Sequence, residues 1–249
     1  MSGPPWQVTV CPRAEQLAQA AAELIRDSIA SGQGPYRIAL AGGNTPKATY
    51  AVLAGEGFVK DQDWERVSLF FGDERCLPAR SPESNFAMVQ ESLLQHVGDR
   101  LAGVHRIKGE LGPGQAAAEY EEELRAAFAI GTSQQPRFDL ILLGMGPDGH
   151  VCSLFPGLPQ LRESKRLVVG VTEAPKPPPQ RVTLTMPVIN MAHAVVFLVA
   201  GQDKAAAVQA VFDGDRRLPA AAVQPVQGRL VWLLDDAAAA GIKGAAGRP

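Results

Sequence analysis

The stretch FDLILLGMGPDGHVCSLFPG, residues 138–157, begins as a buried strand and changes character within a few residues. FDLILL is apolar almost throughout, which is typical of a strand covered on both faces of a parallel sheet. GMGPDGH then combines three glycines with Asp148 and His150. Because open parallel sheets bind ligands beyond the carboxyl ends of their strands, the stretch predicts both a fold and the position of a site.

Six further apolar runs have the length of strands. They lie at 6–10, 36–41, 67–71, 166–171, 194–200 and 229–234, and helical patterns occur around 12–31, 46–55, 83–97, 114–129 and 203–212. This alternation predicts a doubly wound α/β fold, with a mostly parallel, Rossmann-like sheet flanked by helices. Since no shift in composition divides the chain, we expect a single domain over residues 1–249.

The charge and cysteine content exclude several classes of protein. A formal net charge of −2 gives no general attraction to nucleic acid or to an anionic membrane, and no segment approaches the ~18 apolar residues of a membrane span. Cys11, Cys76 and Cys152 are far apart and form no C-x-x-C pair, which argues against a disulfide framework or a zinc site. We expect a cytoplasmic monomer that binds no metal and partners neither nucleic acid nor membrane.

Four predicted strands end in chemically unusual loops. These loops are GGNTPK, GDERCLP, MGPDGH and GQDK, at 42–47, 72–78, 145–150 and 201–204. In the first loop, Thr45 and Pro46 could simply cap and begin a helix. Alternatively, Gly42 and Gly43 would let a phosphate approach free amides at the helix start.

The second and fourth loops also have two interpretations each. Arg75 could bind a phosphate or a developing oxyanion, or it could pair locally in a charged turn. Asn85, a little further on, could cap the next helix or reach the same site. Lys204 is expected in the first turn of a helix, where a bound anion would offset its unfavourable interaction with the dipole. Its alternative is an ammonium group that extends into water.

The third loop supplies the candidate for acid–base chemistry. Glycines leave space around His150, whose imidazole titrates near neutrality and could act as a general base; a histidine bonded to the backbone is the alternative. No G-x-S-x-G elbow supports Ser153 as a nucleophile, and Cys152 is better interpreted as a small core residue. GMGPDG has the spacing of a dinucleotide fingerprint but lacks the acidic residue after a following strand. The residues alone predict a small phosphorylated substrate and no cofactor.

Five blocks of sequence carry a resemblance to a known family. AGGNTP, FFGDERCLP with SPESNF, the 138–157 stretch, PPPQRVTLTMPVIN and VAGQDKAA occur in this order along nearly the whole chain. Together they resemble the 6-phosphogluconolactonase family. The resemblance implies hydrolysis of 6-phospho-D-glucono-1,5-lactone to 6-phosphogluconate, the second step of the oxidative pentose phosphate pathway, without metal or nucleotide. It also implies that His150 activates water and that Asp148 sets its environment.

The resemblance further implies which residues hold the sugar-phosphate lactone. The substrate-binding set is Gly43, Asn44, Thr45, Asp73, Arg75, Asn85, Arg181 and Lys204. The first loop reads AGGNT where the family commonly has SGGST, so Ala41 and Asn44 lack hydroxyl contacts there, although the Asn44 amide can donate instead. A glucosamine-6-phosphate deaminase would share the fold but carry Asn-Glu-Pro near the position of SLFPG. A non-catalytic sugar-phosphate sensor would normally carry a DNA-binding domain or a degraded DGH motif.

Overall fold

Six of the seven predicted apolar runs supply six of the seven strands of a parallel sheet in the computed structural model, which describes residues 6–242; the seventh strand, at 103–105, was not predicted. The strand order across this seven-stranded sheet is β1 (Trp6–Cys11), β10 (Arg229–Asp235), β9 (Ala194–Val199), β6 (Leu140–Leu143), β2 (Tyr36–Leu40), β3 (Val67–Phe71) and β5 (Gly103–His105). Every neighbouring pair in it is parallel. The doubly wound α/β prediction is confirmed.

Helices flank the parallel sheet: each of the five predicted helical segments overlaps at least one, and two short helices, at 61–64 and 186–191, were not predicted. They are α1 (Ala14–Ser31), α2 (Asn44–Leu53), α3 (Asp61–Trp64), α4 (Asn85–Val89), α5 (Gln95–Val97), α6 (Pro113–Phe128), α7 (Met186–Met191) and α8 (Ala205–Phe212). A π-helical turn, Gln90–Leu94, joins α4 to α5. α1 buries Leu17, Ala21 and Ile25, which recur every four residues along one face. Within the described residues, no helix is long and apolar enough to cross a membrane.

A second sheet of three antiparallel strands is a feature that the sequence analysis did not predict. Its order is β4 (Asp73–Arg75), β8 (Arg181–Leu184) and β7 (Val168–Val171). The assignment of 166–171 to the parallel sheet was therefore wrong, and so was the assignment of all of GDERCLP to a loop. β4 consists of charged residues with low strand propensity, so hydrophobic patterning could not identify it. The pairing sets Arg75 directly opposite Arg181.

Aromatic packing fixes the centre of the parallel sheet. Phe197 on β9 and Trp232 on β10 stack with their ring centroids 3.8 Å apart. Phe70 on β3 meets Phe138 edge to face at 5.3 Å. Such pairs add about 0.5–1.5 kcal/mol each to the stabilisation from buried area. This rigid core holds the carboxyl ends of the strands, from which the unusual loops extend.

Candidate active site

A cavity of about 380 Å³ lies beyond the carboxyl ends of β2, β6 and β9, beside the second sheet. This volume suits a small ligand such as a phosphorylated sugar. Nine of the ten predicted site residues line it: Gly43, Asn44, Thr45, Asp73, Arg75, Asn85, His150, Arg181 and Lys204. The tenth, Asp148, is hydrogen-bonded to Nδ1 of His150 and is not among the lining residues. The four loops therefore meet at one place.

The start of α2 forms one side of the cavity and presents backbone amides to it. The helix begins at Asn44, and its N-cap is Gly43 at φ 104°, so the assignment of Thr45 as the cap was wrong. Glycine adopts this backbone conformation without steric penalty, and it begins the helix two residues earlier than a Thr45 cap would. The amides of Asn44 and Thr45 lie in the first helical turn, where backbone N–H groups have no intrahelical acceptor.

Lys204 faces the same cavity from the loop after β9. It ends a short 3₁₀ turn, Gln202–Lys204, directly before α8. Its ammonium pairs with Asp203 Oδ2 at 2.8 Å, and its side chain is 22 % exposed. The lysine is thus held beside the cavity and does not extend freely into water. Its charge and the α2 amides together favour an anionic ligand group.

His150 and Asp148 form a close hydrogen-bonded pair. The distance from His150 Nδ1 to Asp148 Oδ1 is 2.6 Å. Because a carboxylate only accepts, the proton belongs on Nδ1, which leaves the Nε2 lone pair available. The imidazole packs against Phe155 at 4.5 Å between centroids, and its side chain is 17 % exposed. In this arrangement the carboxylate fixes the tautomer of the imidazole, which gives His150 the chemistry that a general base requires.

Gly146 makes room for this pair. A Cβ at Gly146 would lie 2.0 Å from His150 Nδ1 and 2.4 Å from Asp148 Oδ1, closer than any real Cβ contact. The Gly146 amide also donates to the His150 carbonyl at 3.0 Å. The glycine that the sequence analysis interpreted as clearing space therefore has this role in the structure, and it also braces the loop.

The electrostatics favour a neutral imidazole beside an ionised carboxylate. Burial lowers the pKa of His150, while the hydrogen bond and charge of Asp148 oppose that shift. Burial on its own would raise the pKa of Asp148, but the contact with His150 and the charge of Lys176 outweigh it, so the pKa of Asp148 is lowered. At neutral pH His150 is then ready to accept a proton.

Asp73 is the centre of a buried network on the other side of the cavity. Its Oδ1 accepts from Asn85 Nδ2 at 3.0 Å, and its Oδ2 accepts from Ser153 Oγ at 2.6 Å. Asn85 thus reaches the site, and the cap of α4 is Ser84, whose Oγ accepts from the Ala87 amide. Ser153 is fully buried, which agrees with its rejection as a nucleophile.

Arg75 and Arg181 face each other across the small sheet. Arg75 donates from Nη1 to the Glu83 carbonyl, whereas its buried Nε has no acceptor among residues 6–242. Arg181 is buried and bonds the backbone of the preceding loop: Nε donates to the Pro178 carbonyl, and Nη2 donates to the carbonyls of Lys176 and Pro177. Burial lowers the pKa of Arg181, and the charge of Asp73 opposes this shift.

Two residues at the site, Lys176 and Glu74, were not predicted from the sequence. Lys176 lines the cavity with Nζ 3.4 Å from Asp148 Oδ1, a role that its surroundings in PKPPPQ concealed. Glu74 is buried, and its carboxylate accepts from the amides of Arg75, Asn85 and Phe86, although it resembles an ordinary surface charge in the sequence. Cys152, predicted as a small core residue, packs against the hydrophobic core with a partly buried side chain and also lines the cavity, at φ 49°.

Cys152 is a poor nucleophile in this position. Burial of its thiol, with the charge of Asp73 as a further cause, raises its pKa well above the ordinary value. The thiolate is the reactive form of cysteine, so such a shift suppresses it. In the part of the chain from 6 to 242, no three His, Cys, Asp or Glu side chains converge as a metal site would require.

The fold and the cavity together define an α/β protein whose ligand cavity combines free helix amides and a lysine with a histidine–aspartate pair. The model of the family described as glucosamine-6-phosphate isomerases/6-phosphogluconolactonase matches residues 12–232, and the chain belongs to this family. The resemblance found in the sequence is thereby confirmed.

Individual relatives match over nearly the full chain. The 6-phosphogluconolactonase of Rattus norvegicus is 39% identical, with 94% of this chain and 93% of the relative covered, and that of Streptomyces coelicolor is 41% identical with the same coverage. The structure of 6-phosphogluconolactonase from Trypanosoma cruzi has a TM-score of 0.85 at 28% identity, covering 98% of both chains. A monomeric glucosamine-6-phosphate deaminase, with a TM-score of 0.76 at 23% identity, shares the fold.

Proposed function

We propose that the chain hydrolyses 6-phospho-D-glucono-1,5-lactone to 6-phospho-D-gluconate, a step of the oxidative pentose phosphate pathway, with His150 as the general base. The family and the names of its full-length relatives support the hydrolysis. The observation that supports the role of His150 is its 2.6 Å contact with Asp148 in the cavity that also holds the start of α2. One cavity thus combines a base with an anion-binding helix terminus.

The substrate phosphate would bind at the start of α2. The amides of Asn44 and Thr45, the open backbone at Gly43 and the ammonium of Lys204 supply donors and positive charge there. The buried Nε of Arg75 lacks a protein acceptor within residues 6–242, and a substrate oxygen would satisfy it. Anchoring the phosphate brings the lactone carbonyl toward His150 and lowers the entropic part of the barrier.

Hydrolysis then needs one proton relay. His150 Nε2 takes a proton from water as the water oxygen forms a bond to C1 of the lactone, and Asp148 stabilises the resulting imidazolium. Nearby cationic side chains stabilise the tetrahedral oxyanion. The bond from C1 to the ring oxygen breaks, and the imidazolium returns its proton to that oxygen. The new carboxylic acid ionises on release.

The residues after His150 favour hydrolysis over deamination. Positions 151–156 read VCSLFP and contain no acidic residue that could assist sugar-ring opening. In the structure, Ser153 bonds Asp73 and Phe155 packs on the imidazole, so this segment serves the site through packing and hydrogen bonding. A lactone, which is already an activated ester, needs only water and a base.

A direct assay tests this function. The lactone is generated in situ, and its decay is followed above the spontaneous rate, alongside ammonia release from glucosamine 6-phosphate. We expect lactone decay and no ammonia. His150→Ala should reduce kcat by about 10²–10⁴-fold, whereas the exposed control His96→Ala should retain full activity. Ammonia release without lactone decay would overturn the reaction, and a fully active His150→Ala enzyme would overturn the role of the base.

We also propose that the enzyme is a cytoplasmic monomer folded as a single domain. Its three cysteines are free thiols, as is usual in a reducing compartment. One large hydrophobic cluster spans both the amino-terminal and carboxyl-terminal strands, from Cys11 to Ala238. Light scattering tests the monomeric state, and cell fractionation tests the cytoplasmic location. A single unfolding transition in calorimetry would support a single domain.

A further inference from the structure

The loop PKPPPQ, residues 175–180, reaches the active-site cavity through Lys176. This residue lines the cavity, and its side chain is 39 % exposed. The backbone of this loop is held by the side chain of Arg181, which donates hydrogen bonds to the carbonyls of Lys176, Pro177 and Pro178 at 3.1, 3.2 and 3.0 Å. Two guanidinium nitrogens of a buried arginine are thus used to hold a loop.

Lys176 and His150 share one oxygen atom. Asp148 Oδ1 accepts from His150 Nδ1 at 2.6 Å and lies 3.4 Å from Lys176 Nζ. The ammonium therefore neutralises part of the charge that would otherwise draw a proton onto the imidazole. It does so from outside the loop that carries the histidine, since it lies 28 residues from Asp148 in the chain.

We propose that Lys176, held in place by Arg181, is a positioning residue for the general base: its ammonium binds Asp148 and keeps the imidazole of His150 unprotonated and oriented toward the substrate. This proposal rests on the proposed function of His150. Lys176 acts here through Asp148, and Arg181 acts through Lys176. Neither role follows from the prediction that Arg181 helps to hold the sugar-phosphate lactone.

The charges around His150 determine whether loss of the Lys176 ammonium raises or lowers the pKa of the imidazole. The groups that face it are Asp148 in its own loop, Asp73 on β4 and Lys176. The two carboxylates raise the pKa of His150, and Lys176 lowers it, with burial as the largest lowering influence. Removing the ammonium should therefore raise the pKa of His150. The imidazole would then stay protonated up to a higher pH, and in that range it could not act as a base.

The test is the pH dependence of kcat/KM for lactone hydrolysis in Lys176→Met. We expect the acidic limb of the kcat/KM profile to move to higher pH by roughly 0.2–0.7 pH units, because this is the size expected for a partly exposed ion pair. Lys176→Arg should restore most of the original profile. Lys60→Met removes an exposed lysine elsewhere and should leave the profile unchanged.

Arg181→Lys tests the link between the two residues. This variant keeps a cation but lacks the fork that binds three carbonyls, so the limb should move in the same direction as in Lys176→Met. If Arg181 acts through Lys176, the double variant should shift the limb no further than Lys176→Met alone. Thermal unfolding of each variant shows whether a loss of activity reflects a loss of fold.

Three outcomes would overturn the proposal. One is an unmoved acidic limb in a folded Lys176→Met enzyme. Another is a large rise in KM with an unchanged pH profile, which would make Lys176 a substrate-binding cation. The third is additive shifts in the double variant. Because the proposed function fails only if the wild type does not hydrolyse the lactone or if His150→Ala is fully active, the two failures are distinguishable.

Discussion

The Ser153 hydroxyl donates a 2.6 Å hydrogen bond to Asp73 Oδ2, joining two residues that are 80 positions apart in the chain. Both side chains are buried. The bond ties the segment that follows His150 to strand β4, which also carries Arg75. Its effect is to hold the base and the arginine side of the cavity at a fixed separation.

Ser153→Ala should destabilise the fold through this bond. The substitution removes a donor from a buried carboxylate, and an unsatisfied buried group of this kind costs about 1–3 kcal/mol. Urea or thermal unfolding measures the loss. Ser164→Ala, at an exposed position, is the matched control and should change the unfolding free energy by less than about 0.5 kcal/mol. An equal change in the unfolding free energy at the two positions would show that the Ser153 hydrogen bond does not stabilise the fold.

Gly146→Ala should impair catalysis more than stability. The added methyl would collide with His150 Nδ1 and Asp148 Oδ1, so the pair must move. A displacement of about 1 Å in a catalytic group can reduce the rate by roughly 10²-fold. Steady-state kinetics and circular dichroism separate the two effects. Gly34→Ala adds a methyl where no atom lies within 4 Å and should leave kcat unchanged. A fully active Gly146→Ala enzyme would contradict this account of the loop.

Lys204→Met should weaken recognition of the phosphate. A charge-assisted hydrogen bond contributes about 1.5–3 kcal/mol, which corresponds to roughly 10–150-fold in kcat/KM. The loss should fall mainly on KM, since the lysine binds a part of the substrate that does not react. The informative measurement is the ratio of kcat/KM for the phosphorylated lactone to that for glucono-1,5-lactone. This ratio should fall in Lys204→Met and stay constant in the exposed control Lys165→Met. An unchanged ratio would remove Lys204 from the phosphate site.

The pH profile of the wild-type enzyme should show a base with a lowered pKa. Burial lowers the pKa of His150 below its ordinary value of 6.5. The neutral imidazole is the active form, so kcat/KM should rise with pH and reach half its plateau below 6.5. Asp148→Asn removes a negative charge and should move this midpoint still lower while reducing the plateau. The rate of lactone decay from pH 4.5 to 8, corrected for spontaneous hydrolysis, gives the midpoint. A midpoint above 6.5 would contradict the effect of burial.

The parallel sheet and the main loops were accessible from the sequence because their signals are local. Apolar runs and helical periodicity identify buried strands and helices without knowledge of their partners. The end of FDLILL therefore placed Asp148 and His150 at the ligand edge of the sheet. The predicted set of ten residues came from the resemblance to a known family, which those loops and the PPPQRVTLT block carry, and nine of the ten line one cavity.

The second sheet and Lys176 were not accessible because their signals are tertiary. β4 is a strand only because β8, more than a hundred residues later, pairs with it. Glu74 becomes a buried anchor for the start of α4 only when that helix folds onto it. The position of Lys176 depends on three backbone contacts from Arg181, and no local pattern encodes them.

The pairing of β1 with β10 has a consequence for how the chain reaches its fold. Trp6 lies in register with Leu230, and Cys11 with Asp235. β1 is at the edge of the parallel sheet, so it obtains its hydrogen-bonding neighbour only when β10 has been synthesised and has joined β9. Contacts between such distant parts of a chain form slowly. During translation, β1 therefore leaves the ribosome more than two hundred residues before the strand that completes its pairing, and until then it is a segment that chaperones can bind.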